Sequence, residues 1–184
     1  MDVRLAQNTA QFLSMIICIT VAIWYLLPRL KTRSRADALM MLVWIQVFRY
    51  VALQVYSAQK AGYPISDAGR DQLVFGDLGA AILALIALYA LRHKLRIAIP
   101  FVWLLVIETL FDIVNNVRNG VHERLFEAAN GVTWIVVSFY VPMVIAGTFL
   151  TIRELVLRRA EPLDTQVTRQ TRSLGRSAQS ASGA

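Results

Sequence analysis

The sequence is poor in the residues that carry most metal and covalent chemistry, with one cysteine and two histidines among 184 residues. A lone Cys18 excludes an intramolecular disulfide. It has no Cys or His neighbours to complete a zinc or copper site, and inside an apolar run it reads as a small buried apolar residue. His93 and His122 both fall in expected connections, so the apolar runs offer no histidine pair to haem. No G-x-S-x-G, P-loop or H-E-x-x-H spacing occurs, and the serines and threonines of the apolar runs have no evident base beside them. Catalysis should show a nucleophile or an acid–base pair in reach. No catalytic residue, cofactor or dedicated metal site is therefore assigned, and a membrane enzyme ranks third among the functional readings.

Charge is also scarce, at 17% of residues, where ordinary soluble domains carry about 25%. Apolar residues make up 57%, and the mean hydropathy is +0.51. The excess is gathered into runs of the length that a bilayer requires, which is the pattern of a multi-pass membrane protein. The net charge of +7 resembles the footprint of a phosphate binder. Its arginines and lysines, however, sit in connections and in the tail, where membrane insertion needs them. The expected partner is the lipid bilayer rather than nucleic acid.

Taken in order, residues 9–27 form the first expected span. It is followed by Pro28 and the cluster Arg29, Lys31, Arg33 and Arg35 rather than by a small-residue cleavage site, so it reads as a transmembrane helix and not a signal peptide. Trp24 and Tyr25 near its end suit the headgroup level. The second span is 38–57, with Asp37 as its expected N-cap and with Gln46, Arg49, Tyr50 and Leu53 on one side by helical spacing. The third is 73–91, where Gly76, Ala80 and Ala84 form a comb of small residues that lets a neighbouring backbone approach closely. The fourth is 97–116, and the fifth is 131–152 with Pro142 as an expected kink. Residues between Arg118 and Gly131 read as a loop with a short helix. From Arg158 the chain is rich in Arg, Ser, Thr and Gln, and 158–184 reads as a disordered basic tail.

The fold class expected is therefore all-α, an integral membrane bundle of five transmembrane helices over residues 1–157. Arg and Lys concentrate in the first and third connections and after the fifth span. By the positive-inside rule this places the N-terminus outside and the C-terminus in the cytoplasm.

Against this apolar background the fourth span stands out, because IAIPFVWLLVIETLFDIVNNVR carries Glu108, Asp112, Asn115 and Asn116 at three- and four-residue spacings on one face. A carboxylate at that depth turns toward other helices or a watery cavity, and it marks a functional site by default. At about 1.5 Å rise per residue, Arg49 and Glu108 each lie about 16 Å from the cytoplasmic start of their helices, so they share a level. Asp77, Asp112, Asn115 and Asn116 lie further outward. The expected site is an outward-opening polar pocket of Arg49, Asp77, Glu108, Asp112, Asn115 and Asn116. The alternative is that Arg49 pairs with Glu108 or Asp77 and the asparagines hold helices together. Three acids against one arginine favour a ligand, because the surplus carboxylates must be protonated, hydrated or bound to a cation.

The segments FRYVALQ, GDLGAAILALIAL, FDIVNN and FYVPMVI, in that order between Phe48 and Ile152, resemble a family of small, uncharacterised multi-pass membrane proteins of bacteria. The resemblance implies a bacterial membrane location and no particular activity, and the location expected for the chain is the bacterial inner membrane. Two functions follow as expectations. The first is a small transporter, channel or ligand-binding membrane protein for an ion, a proton or a small polar solute, which at this size would need to dimerise to transport. The second is a non-catalytic accessory subunit that assembles with a partner membrane protein.

Overall fold

The computed structural model describes residues 3–128 and 131–163, and every regular element among them is helical. Five helices are long and apolar enough to cross a membrane: α1 (Val3–Thr32), α2 (Arg35–Lys60), α3 (Asp67–Arg92), α4 (Ala98–His122) and α6 (Gly131–Leu157). A short helix, α5 (Leu125–Ala128), lies between the last two. Each helix runs past the stretch of apolar residues that announced it. His122, expected in a connection, is the last residue of α4, and His93 caps α3 with its ring 4.4 Å from that of Tyr89.

Three details of the helices differ from expectation for local reasons. The N-cap of α2 is Ser34 rather than Asp37: Ser34 Oγ accepts the Asp37 N–H and donates to the Asp37 carboxylate, so Asp37 is the residue that is capped. Pro28 does not end α1. The proline lacks the N–H that would bond one turn back, and the helix widens into a π turn over Ala22–Leu26 before continuing. Pro142 acts in the same way on α6, where the π turn is Val136–Tyr140. Cys18 is only partly buried on α1.

Short connections make successive helices antiparallel and sort the polar residues to two ends. At one end Glu154, 2% exposed, is held by Arg153 and Arg158. Arg158 also donates to the Arg33 carbonyl at 3.0 Å, and Arg35 to the Glu161 carbonyl at 3.0 Å. Residues 158–163, expected to open the disordered tail, are thus packed against the first connection, and residues 164–184 lie outside the described residues. At the other end Glu123 accepts from the Ser66 N–H and hydroxyl beside the start of α3, and Arg4 pairs with Glu127.

The core lies between α2, α3 and α4. Ala80, Ala84 and Ala87 of α3 are completely buried against Leu39 and Val43 of α2 and Val102 and Leu105 of α4. Small side chains on α3 let both neighbours come close, so the comb serves packing inside the chain. By contrast α1 is barely buried: 6% of its apolar window, against 28–44% in the other long helices.

Candidate functional site

Arg49 owes its position to a change of helix type. Between Phe48 and Leu53 α2 tightens to a 3₁₀ helix, with three residues per turn. The buried positions accordingly recur every third residue, at Gln46, Arg49, Ala52 and Val55. Tyr50 and Leu53, expected on the same side as Arg49, point outward and are about half exposed. The change of pitch leaves the Ile45 carbonyl to a side chain, and Tyr140 of α6 donates its hydroxyl to it at 2.8 Å.

Once buried, the guanidinium is surrounded by acids from two helices. Nε donates to Asp77 Oδ1 at 2.6 Å, Nη1 to Glu108 Oε2 at 3.2 Å, and Nη2 to Asp112 Oδ2. Nη1 also donates to the Thr109 hydroxyl at 2.9 Å. The planar fork of Arg suits this arrangement, because its nitrogens point in several directions within one plane and each can serve a different carboxylate. Asn116, one turn beyond Asp112, donates to Asp112 Oδ2 at 2.9 Å. Asn115 makes no hydrogen bond to the cluster among the described residues.

Five of the six expected residues are therefore brought together, and Asn115 is not. Arg49 binds all three acids, which outnumber it. Thr109, fully buried, was missed. It continues the buried stripe Val102, Leu105, Val106 and Asp112 on α4, so extending the three- and four-residue spacing back from Asp112 would have found it. Tyr140 had no such signal, because its partner is a backbone carbonyl freed by another helix.

Gly76 has a particular role here. A Cβ built on it would collide with Asp112 Oδ1, whereas one on Gly79 in the same helix meets nothing within 4 Å. The absence of a side chain at Gly76 is what lets the Asp112 carboxylate lie against α3.

Beside the ion cluster is a cavity of about 530 Å³. Arg49, Asp77, Asp112 and Asn116 form one polar part of its wall, and α1 contributes Arg4, Asn8, Gln11 and Met15. Val136, Val137, Val144 and Ile145 of α6 make an apolar wall. The cavity reaches the end of the bundle that holds the 61–66 connection and α5, where Tyr63 and Leu125 line it. Tyr63 donates to the Leu125 carbonyl at 3.2 Å. Burial, reinforced by Glu123, pushes its hydroxyl up to about 12, so it stays protonated at neutral pH. Glu108 lies outside this wall, on the far side of the guanidinium.

Residues 6–156 match the model of a family described as a domain of unknown function (DUF8737). No curated protein and no solved structure matches the chain.

Two outcomes follow from the geometry. Arg49→Ala strands three carboxylates and should lower unfolding stability in detergent by about 3–5 kcal/mol. Adding Glu108→Gln should return part of that loss, and strict additivity of the two changes would remove the coupling. Gly76→Ala should lower the melting temperature through a clash of about 1–3 kcal/mol, while Gly79→Ala should be neutral or stabilising by up to about 1 kcal/mol. Equal effects at the two glycines would contradict the proposed role of Gly76.

Proposed function

The chain belongs to this DUF8737 family, and from a premise that fixes no activity we propose that it is a small ligand-binding or transport protein of the bacterial inner membrane. Its five long helices cross the bilayer with the N-terminus outside and the C-terminus in the cytoplasm. The pocket beside Arg49 opens outward and takes a cation, a proton or a small polar solute. One observation carries this reading: a single buried guanidinium serves Asp77, Glu108 and Asp112 at the edge of a cavity. With all groups ionised the cluster has two negative charges more than Arg49 neutralises. Uncompensated charge in a low-dielectric interior is expensive, so protons, bound cations or one of each supply the two missing charges.

A second reading, an accessory subunit of a membrane complex, draws on the slight burial of α1. Such a helix offers a long apolar face to a partner helix, or to lipid alone. A second copy of the chain is a further occupant of that face. Mass measurement of the gently solubilised protein separates these cases, because the accessory reading requires a stoichiometric partner.

The site reading is tested by thermal unfolding of the purified protein against inorganic cations, amines, small acids and lipids. A specific ligand should raise the melting temperature by mass action, by about 2.7 kcal/mol of stability at a hundredfold excess over its dissociation constant. Asp112→Asn should abolish that rise. No cationic ligand, and no dependence on Asp112, would turn the cluster into a purely structural ion pair. For the orientation, a reporter active only in the cytoplasm should work when fused after Arg172, and silence there would reverse the topology.

A further inference from the structure

The pocket specifies more about its ligand than a sign of charge. At its polar part the hydrogen bonds that the protein donates run to its own acceptors, with a second N–H left on Arg49 Nη2 and on Asn116 Nδ2. Every guanidinium nitrogen of Arg49 donates to a carboxylate, and Nη1 also serves Thr109. Asn116 gives its amide N–H to Asp112, and Tyr140 its hydroxyl proton to Ile45. Acceptors, by contrast, are left over: the buried Asn116 Oδ1 has no partner, and it stands beside the two carboxylates that line the cavity. A ligand that completes this wall brings positive charge to the surplus acid and an N–H donor to Asn116 Oδ1. An ammonium group brings both, as three donors and no acceptor.

Two other classes fit worse. Among the described residues no three His, Cys, Asp or Glu side chains converge in a way that could hold a metal ion. The guanidinium lies between the acids, so their oxygens do not gather around one point. An anion would meet Arg49 with each of its nitrogens already on a carboxylate. Besides the polar residues of α1, the walls include Val136, Val137, Val144, Ile145 and Ile113, an apolar surface that a small hydrated cation could not use. A volume of about 530 Å³ falls within the range of about 300–1,000 Å³ that holds drug-sized organic ligands.

We infer that the cavity binds a protonated amine carried on an apolar chain, with its nitrogen among Asp77, Asp112 and Asn116 and its chain against the valines of α6. The inference rests on the reading of the pocket as a cation site and adds the class of cation. A free alkylamine and the head and upper chain of an amino-headed lipid share this chemistry.

The full-length protein in detergent is titrated with n-alkylammonium ions from methyl to octyl, with alkyl carboxylates of equal length as controls, and stabilisation is read by thermal unfolding. Apparent affinity should rise by about fourfold for each methylene buried, until the cavity is full, and the carboxylates should have no effect. Val137→Phe should weaken the longer amines and spare methyl- and ethylammonium. Ile113→Phe is a second variant of the same kind, should the first fail to fold. The source is separated in nanodiscs: stabilisation by added alkylamine without amino-headed lipid supports a free ligand, and stabilisation by ethanolamine-headed lipid alone supports the lipid. Asp112-dependent binding of small cations with no gain from chain length would overturn this inference and leave the cation site standing. If no cation of any kind binds in an Asp112-dependent way, both fall.

Discussion

The fold is built around one buried guanidinium. Arg49 is 2% exposed and holds Asp77 from α3 and Glu108 and Asp112 from α4. A charge taken from water must be matched by partners of good geometry, or it costs several kcal/mol. Here the matching charges come from two other helices, which fixes the level of α2, α3 and α4 relative to one another. The alanines of α3 provide the close approach that the short ion pairs need. Packing and electrostatics are thus one constraint: a wider α3 would separate Arg49 from the acids.

The same cluster divides the bundle into two unlike halves. Below it, α2, α3 and α4 are tightly packed, and Glu154, Arg158 and Arg35 tie α6 to the first connection. Above it the helices part around a cavity that α1 and the π turn of α6 help to enclose. The 3₁₀ stretch of α2 lies at the boundary. Tight turns and π turns are less regular than α-helix, and they recur where side chains must be aimed at a site rather than at a core. In this chain a 3₁₀ stretch aims Arg49, and a π turn carries Tyr140 across to the carbonyl that the 3₁₀ stretch frees.

The acids in excess over Arg49 lie at the edge of the cavity. Arg49 balances one charge of three, so with all groups ionised two negative charges remain to be met by protons or cations. All three Arg49 nitrogens donate to these acids, while Asn116 Oδ1 accepts nothing. The ion pairs around Glu154 are balanced differently, because Arg153 and Arg158 leave no acid in excess there.

What the sequence by itself determined was everything that depends on composition along one helix. Five apolar runs, the small-residue comb and the shared level of Arg49 and Glu108 are properties of spacing, and spacing is visible in a string. Arg49, Asp77, Glu108, Asp112 and Asn116 could be picked out because a charged or amide group in an apolar run is an anomaly whatever surrounds it. The tertiary structure decided what depends on departures from ideal α-helix and on contacts between helices. Tyr50 and Leu53 face outward because α2 changes pitch at Phe48, and a spacing rule that assumes 3.6 residues per turn cannot anticipate that. Asn116 lies one turn beyond Asp112 on the same helix and bonds its carboxylate, a contact that helical spacing alone allowed, whereas Asn115, its neighbour in sequence, makes none to the cluster among the described residues. Gly76 looked like one tooth of a comb, yet its missing Cβ makes room for a carboxylate from another helix. The cavity belongs to no single segment: it is the space left where helices held together by Arg49 diverge.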